Sequence, residues 1–411
     1  MPPLAPLPSF DNTALAFQYK SNAALRKARF LFGVMANPLL VKLGTKLTPW
    51  AIRLGLPVKG LIRNTLFSQF IGGESLAQTA VVAQKLAQYR VQVILDYGVE
   101  GKQGEVFYEQ AKDEFIRVID FAATQKNIPF ISVKLTGLAR FQLLEEIHRL
   151  MTSIDLPLLD RYEKALNCLS IDLLNEWGRV CSRMEKICFH AALKQVAVAI
   201  DAEETWIQEP LDALVATMME LCNKNKPIVY NTYQLYRSDR LSFLAQMHAL
   251  AQARGYVSGA KLVRGAYMEK ERKRAAQLGY ASPINATKEA TDQLYNEALC
   301  FCIQHLESFA IIVASHNEKS NLLAVQQLQE KGIDWQHPHM HWSQLYGMSD
   351  NITFNLAAAG CSVSKYLPFG PIEDVVPYLM RRAEENTAVK GQTGRELSLI
   401  QKELARRAQS A

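Results

Sequence analysis

The sequence of 411 residues lacks features that mark several classes of protein. None of its seven cysteines is spaced Cys-x-x-Cys, and an odd number indicates free thiols in a reducing compartment rather than a disulfide framework. Cys300 and Cys302 lie two apart in a predicted helix, where their side chains point in different directions, so no zinc site is predicted. The chain does not open with a charged segment followed by an apolar run, so we expect no secretory signal peptide.

Long apolar runs and a dinucleotide fingerprint are also lacking. The longest apolar stretch, residues 30–41, is too short and too interrupted to cross a bilayer. No G-x-G-x-x-G follows a predicted strand, which disfavours a Rossmann site. The net charge of +6 is modest and gives no argument for nucleic acid as a partner.

Acidic residues are nearly absent from residues 1–73. This segment has nine Lys or Arg against one acid, Asp11, and carries a charge of +8, whereas residues 74–411 carry −2. Its pattern predicts short amphipathic helices broken at Pro38, Pro49 and Pro57. Two interpretations stay open: a helical arm packed on the main domain with a solvated basic face, or a surface that lies on anionic lipid.

After Gly73, eight short apolar or β-branched runs recur, each followed by a helical pattern. Such runs predict parallel strands buried on both faces, and eight of them predict a closed (βα)8 barrel. We expect a basic helical arm at 1–73, a barrel at 74–390 with a helical insertion at about 141–194, and a helical tail at 391–411. The predicted strands are Val91–Tyr97, Phe130–Leu135, Val196–Asp201, Pro227–Tyr233, Ser258–Val263, Ala310–Ser315, His339–Leu345 and Cys361–Leu367.

Polar side chains end nearly every predicted strand, and the active site of such a barrel lies at the carboxyl ends of the strands. Lys134 lies inside an apolar run, so it needs an anionic ligand or a structural ion pair, for which Asp96 is a candidate. Asp201 begins an acidic segment and could cap a helix, with Glu204 reaching back, either in place of a role in the site or in addition to it. The strand-end residues are Asp96, Lys134, Asp201, Gln234, Arg264, His316, Gln344 and Tyr366.

Two other classes of function are compatible with these residues. His337, His339 and His341 alternate along one possible strand and would then share a face. A metal-dependent barrel hydrolase would use Asp96, Asp201, His316 and His339 as ligands. A barrel retained as a binding or scaffold protein is the third interpretation.

The last long helical pattern, opened by Pro371 and Asp374, carries two adjacent arginines. Arg382 lies four residues after Tyr378, and Glu385 lies four residues after Arg381, so the four side chains form one broad face. Two guanidinium groups held by a glutamate can clamp a small carboxylate. The alternative is an ordinary solvated surface.

Six segments, in order over roughly residues 64–390, resemble the proline dehydrogenase family. The resemblance implies a distorted (βα)8 barrel of the TIM type, with the last helix over the barrel mouth. It also implies that FAD is the cofactor and no metal is required. The segments are Lys261-Leu262-Val263-Arg264-Gly265-Ala266-Tyr267, Tyr378-Leu379-Met380-Arg381-Arg382-Ala383-Glu384-Glu385-Asn386, Val133-Lys134-Leu135-Thr136, Ile200-Asp201-Ala202-Glu203, Ala314-Ser315-His316-Asn317 and Gln344-Leu345-Tyr346-Gly347-Met348.

The activity implied is oxidation of L-proline to Δ1-pyrroline-5-carboxylate, the first step of proline catabolism to glutamate. A hydride would pass from C5 of proline to N5 of the flavin, and the electrons would go on to a membrane quinone. With such an acceptor, the basic arm would serve to rest the barrel near an anionic membrane. We expect a cytoplasmic protein, peripheral on the inner face of the cell membrane, with the matrix side of the inner mitochondrial membrane as the alternative.

The resemblance also assigns roles to residues. Arg381 and Arg382 would bind the proline carboxylate with Lys134 as a third cation, while Glu385 would orient the arginines and Tyr378 would support the helix. The proline ring would be walled by Tyr267, Leu345 and Tyr366. In the family, a tyrosine at the position of Tyr366 goes with proline and a smaller residue goes with hydroxyproline. The flavin contacts would be Asp201, Asn231, Lys261, Arg264, Gly265, Ala266, Thr287, Ser315, His316 and Asn317.

Three positions depart from the bifunctional bacterial relatives, which have glutamine, arginine and an aromatic residue where this chain has Asn231, Lys261 and Met268. The departures resemble the monofunctional branch of the family. The aldehyde dehydrogenase domain of the bifunctional relatives would need several hundred further residues, so we do not expect it here.

Overall fold

The structure, a computed structural model, describes residues 6–53, 59–98, 103–388 and 392–409. Eight parallel strands pair in chain order and close into a barrel, which confirms the predicted fold. Every strand is buried over most of its length, as expected for parallel strands covered by helices. The strands are β1 (Gln92–Tyr97), β2 (Phe130–Val133), β3 (Ala197–Ile200), β4 (Val229–Gln234), β5 (Ser258–Val263), β6 (Phe309–Ala314), β7 (Met340–Leu345) and β8 (Val363–Phe369).

Helices precede the barrel, connect its strands and follow it. Before β1 lie α1 (Thr13–Phe17), α2 (Asn22–Met35), α3 (Pro38–Arg53), α4 (Lys59–Ile62), α5 (Ser68–Phe70) and α6 (Leu76–Ala87), with a π-helical turn at Arg63–Phe67. Between strands lie α7 (Glu105–Ala123), α8 (Phe141–Thr152), α9 (Leu158–Asn167), α10 (Ile171–Lys194), α11 (Thr205–Cys222), α12 (Arg240–Arg254), α13 (Met268–Leu278), α14 (Lys288–Gln304), α15 (Glu318–Glu330) and α16 (Asp350–Ala358). After β8 lie α17 (Ile372–Ala388) and α18 (Gln392–Gln409).

The chain forms two compact units. The first unit comprises Met1–Glu100, His316–Leu322 and Trp342–Ala411, and the second comprises Gly101–Ser315 and Leu323–His341. In the first unit, α2 and α17 share one apolar core with α18. Leu25 and Phe32 of α2, Leu379 of α17 and Leu399 of α18 are among its buried members. The amino-terminal helices are therefore part of a core and not a loose extension.

Helix α3 passes through Pro49, so the predicted helix break at this residue is wrong. A proline removes one main-chain donor, and the other hydrogen bonds of this 16-residue helix hold it together. Pro38 is the first residue of α3, where its missing N–H is no loss. Pro57 lies outside the described residues. Among the helices that the structure describes, none combines the length and the apolar character needed to span a membrane.

Candidate active site

Asp201, directly after β3, is a buried carboxylate that binds two lysines. The Nζ of Lys134, which follows β2, lies 2.9 Å from its Oδ2, and Lys261 of β5 pairs with its Oδ1. Ser132 of β2 donates to the same Oδ1 over 2.7 Å. Burial opposes the charge on Asp201, but the two ammonium groups hold the pKa of this carboxyl well below its usual range. The ends of β2, β3 and β5 therefore carry a group of fixed charges.

The alternative interpretation, in which Asp201 caps a helix, is wrong. Helix α11 begins at Thr205, and Glu204 is the residue at its N-cap. The Asp201 carboxylate instead pairs with the two lysines and accepts the hydroxyl of Ser132. Glu204 pairs with Lys270 and does not form the predicted capping box.

Glu203 is a functional candidate that sequence reasoning missed. Its carboxylate accepts the N–H of Thr136 over 3.0 Å and the hydroxyl of Thr136 over 2.6 Å. Burial raises the pKa of Glu203 to about 7, against the opposing effect of these hydrogen bonds. The only sequence signal was its place among three acids after β3, which does not say which acid faces β2.

Asn231, a predicted flavin contact, is buried in β4 and has fixed hydrogen bonds. Its side-chain amide donates to Asp212 over 2.9 Å, and its Oδ1 accepts the N–H of Thr232 over 2.9 Å. Asp212 is held in turn by Arg240, whose Nη1 lies 2.8 Å from its other oxygen. The amide of Asn231 is therefore oriented by a buried charge pair.

Arg264 follows β5 and is held on two sides. Its Nε donates to Asp292 of α14 over 2.6 Å, and its Nη1 donates to the hydroxyl of Ser315, which follows β6, over 2.8 Å. Its guanidinium also lies over the ring of Tyr295, 4.4 Å from the centroid. Thr287, another predicted flavin contact, is the N-cap of α14 and accepts the N–H of Ala290.

Gly265 and Ala266 form an exposed stretch of backbone between β5 and α13. Gly265 has a φ of +130°, which only glycine adopts readily, and a Cβ there would lie 2.4 Å from the ring of Tyr236. Because Gly265 and Ala266 are exposed, a bound molecule can reach this main chain. Tyr267, predicted to wall the proline ring, is half-buried at the N-cap of α13.

His316 lies in the first unit, after β6, and contacts the loop that follows β7. Its Nδ1 lies 2.8 Å from the hydroxyl of Ser349, and its Nε2 accepts the N–H of Leu345 over 3.4 Å. Asn317 accepts the N–H of Ser320 at the start of α15. Tyr366 is buried within β8, where Leu345 of β7 is its register partner. The first unit thus brings His316 and Tyr366 each against Leu345.

The predicted arginine face lies on α17, also in the first unit. The guanidinium carbon of Arg382 lies 5.1 Å from the ring centroid of Tyr378, and both side chains are buried. Arg381 is half-buried on the same helix. The described side chains thus pair Tyr378 with Arg382 as the spacing predicts, whereas the side chain of Glu385 lies outside the described residues.

The metal-ligand set proposed as the alternative is wrong. His339 precedes β7 while Asp201 follows β3, so they lie at opposite ends of parallel strands. His337 and His339 lie before the strand and not within it, and only His341 is in β7, with its ring against Phe130. Over the described parts of the chain, no three His, Cys, Asp or Glu side chains are grouped to bind a metal.

The residues around the ends of β3 to β6 fit a flavin dinucleotide in their donor chemistry. Lys261 and Arg264 are cations held by carboxylates, which suits a pyrophosphate and a ring that becomes negative on reduction. Asn231 and Ser315 add oriented neutral groups, and the main chain at Gly265 and Ala266 is exposed.

A closed parallel barrel with fixed charges at the carboxyl ends of its strands defines the class of (βα)8-barrel enzymes. A sequence model of one family, described as "Proline dehydrogenase", matches residues 80–395. Hydroxyproline dehydrogenase of Xenopus laevis is 32% identical over 422 residues, which cover 95% of this chain and 88% of that protein. Proline dehydrogenase 1, mitochondrial, of Dictyostelium discoideum is 32% identical over 388 residues, or 86% of this chain and 67% of that protein. The chain therefore belongs to the proline dehydrogenase family and is an oxidoreductase.

A solved structure shows the same fold in a longer protein. Proline utilization A (PutA) from Bdellovibrio bacteriovorus superposes with a TM-score of 0.68 at 19% sequence identity, covering 93% of this chain and 37% of that protein. The chain thus spans little more than a third of the length of PutA. At 19% identity this likeness supports the barrel fold alone.

Proposed function

We propose that the chain oxidises L-proline to Δ1-pyrroline-5-carboxylate with FAD as its cofactor. The observation that carries the proposal is the group of fixed charges at the ends of β2, β3 and β5, in a chain of this family. Proline dehydrogenases of Dictyostelium discoideum and Arabidopsis thaliana are among its relatives. Tyr366 favours proline over hydroxyproline, because a bulky ring in β8 leaves less room for a hydroxyl group.

The carboxylate of proline is bound, in this proposal, by Arg381 and Arg382, with Lys134 as a third cation. Burial and the ring of Tyr378 support this role, because they hold the Arg382 guanidinium in one place and exclude water from it. Tyr267, Leu345 and Tyr366 enclose the ring, and Glu385 orients the arginines. The residues thereby position C5 for loss of hydride and lower the entropy cost of reaching that geometry.

In this proposal, residues at the carboxyl ends of β3 to β6 would hold the flavin. When bound, FAD supplies the acceptor for a hydride from C5 of proline, the step in which the substrate is oxidised. Lys261 and Arg264 stabilise negative charge at this site because Asp201 and Asp292 fix their positions. The proposed contacts are Asp201, Asn231, Lys261, Arg264, Gly265, Ala266, Thr287, Ser315, His316 and Asn317.

We infer further that a membrane quinone takes up the electrons and that α2 and α3 lie on the lipid surface. Exposed apolar side chains recur along α3 at Leu39, Leu43 and Leu47, with exposed Phe30 on α2. Neither helix contains an acidic residue, whereas both contain Lys or Arg. An apolar stripe flanked by cations is complementary to an anionic bilayer surface.

One visible spectrum tests the redox proposal. We expect the purified protein to be yellow with bound flavin, and addition of proline without oxygen should bleach the colour. Hydroxyproline in a parallel cuvette should bleach it more slowly. A colourless protein that takes up no FAD would refute the cofactor, and bleaching by hydroxyproline alone would refute the substrate.

A further inference from the structure

A network of buried charges lies behind the loop that follows β7. Lys365 of β8 is buried, and its Nζ lies 2.9 Å from Oδ1 of Asp350 and 2.5 Å from the carbonyl oxygen of Met348. The other oxygen of Asp350 accepts the hydroxyl of Tyr19 over 2.8 Å and lies 2.9 Å from Nζ of Lys20. The two lysines lower the pKa of Asp350 to about 2 against the effect of burial, so this carboxylate is charged.

Ser349, the N-cap of α16, has an unusual backbone and an unusual hydrogen bond. Its φ of +49° lies in the left-handed region, which a non-glycine residue adopts only at a cost in energy. A serine at an N-cap ordinarily accepts a helix N–H with its hydroxyl, but Ser349 makes no such cap bond. Its hydroxyl is instead 2.8 Å from Nδ1 of His316.

Glu396 of α18 holds Ser349 in this conformation. The main-chain N–H of Ser349 donates to Oε1 of Glu396, a residue 47 positions away along the chain. Glu396 is buried, so its carboxyl oxygens need hydrogen-bond partners within the protein. Loss of this bond would leave the left-handed backbone of Ser349 without its stabilising contact.

The same contacts determine the tautomer of His316. Because the N–H of Leu345 donates to Nε2, this nitrogen is the acceptor and carries no hydrogen. Nδ1 of the neutral ring then carries the hydrogen and donates it to the hydroxyl of Ser349. Two hydrogen bonds therefore fix both the orientation and the protonation pattern of the ring.

We propose that Glu396 is a positioning residue that acts through Ser349 to fix the tautomer and orientation of His316. The effect on the cofactor rests on the proposed function, in which His316 contacts the flavin, whereas the effect on the ring does not. Helix α18 thereby orients a proposed flavin contact, His316, through Ser349. The titratable groups that face Glu396 are Asp350, Lys365 and Lys20. Glu396 also accepts the main-chain N–H of Ser349.

The experiment compares full-length variants by two readouts. The first is the ring nitrogen shifts of His316 in protein labelled with 15N-histidine, assigned by loss of the signal in His316→Gln. The second is release of FAD from the purified protein, followed by flavin fluorescence. Glu396→Leu and Ser349→Ala should both mix the two tautomers and weaken FAD binding about tenfold, the effect of one lost hydrogen bond. Glu396→Gln keeps an acceptor oxygen, so its His316 shifts and its FAD release should equal those of the unmodified protein.

Glu403→Leu is the matched control, because Glu403 is also buried on α18 but pairs with Arg406 and Arg407 of the same helix. It should leave the His316 shifts unchanged. An unchanged tautomer in Glu396→Leu, or an equal change in Glu403→Leu, would overturn the proposal. If the tautomer shifts as expected while the unmodified protein binds no FAD, the positioning role stands and the proposed function fails.

Discussion

Arg381 and Arg382 place two permanent charges on one turn of α17, and the side chain of Arg382 is only 7% exposed. A methionine has similar length and helix propensity but cannot bind a carboxylate. If the arginines bind proline, Arg381→Met and Arg382→Met should each raise the KM for proline about 10- to 100-fold, as expected for a lost charge-assisted bond. The measurement is steady-state kinetics together with the flavin absorbance, which should be unchanged.

The control for these substitutions is Arg149→Met, which removes an exposed arginine paired with Glu146 on α8. Its KM should equal that of the unmodified protein. An unchanged KM in both α17 variants would place the carboxylate site elsewhere.

Tyr366 gives a second test at single-residue scale. It is buried in β8, and Tyr366→Ser would leave space for the hydroxyl of hydroxyproline. We expect the ratio of kcat/KM for proline to that for hydroxyproline to fall roughly tenfold. The exposed Tyr280 provides the control substitution, Tyr280→Ser, which should leave the ratio as it is. An unchanged ratio in Tyr366→Ser would remove the role assigned to this tyrosine. The choice between the two substrates needs this test because one relative is a hydroxyproline dehydrogenase.

At the scale of elements, the strands were predictable because burial on both faces imposes a continuous apolar run. The predicted Ser258–Val263 coincides with β5, and each other strand was predicted within about two residues at either end. The alternative of a helix cap at Asp201 failed because a cap motif is local, whereas the lysines that bind Asp201 follow β2 and lie in β5. Pairing between strands is not encoded in local spacing.

The apolar stripe of α3 carries a prediction about lipid. Removing the arm would expose apolar core that packs against α2 and would disturb the fold. Lipid binding is therefore tested by substitutions at the surface. Leu39, Leu43 and Leu47 are 78%, 56% and 50% exposed, and changing all three to Gln should reduce flotation with anionic vesicles at least about tenfold. Flotation on a density gradient measures this.

A matched triple variant changes Leu193, Leu221 and Leu278, which are exposed in the second unit, to Gln. It should float as the unmodified protein does. Equal flotation of the two triple variants would mean that the basic face of α2 and α3 is only solvated.

At the scale of the whole first unit, the two ends of the chain are joined by contacts that sequence reasoning did not predict. Arg407 of α18 donates to the carbonyl oxygens of Phe17 and Lys20, and Tyr19 bonds Asp350 across 331 positions. Lys365 gave a usable signal, because it interrupts an apolar run just as Lys134 does. Its partner Asp350 could not be chosen from sequence, since many acids are equally distant along the chain.

The buried carboxyl of Glu396 makes stability depend on pH. Burial and the charge of Asp350 raise its pKa to about 7, so the folded protein holds a proton that the unfolded chain loses near pH 4.5. The stability that Glu396 contributes is fully present below pH 4.5, its pKa in the unfolded chain. It is lost as the pH rises through about 7, its pKa in the folded protein. Glu396→Gln cannot titrate, so its free energy of unfolding should gain roughly 2–3 kcal/mol on the unmodified protein between about pH 5 and about pH 8. Urea unfolding across this range measures the difference.

Glu403→Gln is the control, because arginines lower the pKa of Glu403 to about 2 and its difference from the unmodified protein should stay constant between about pH 5 and about pH 8. A constant difference for Glu396→Gln as well would show that Glu396 is already ionised at the lower pH.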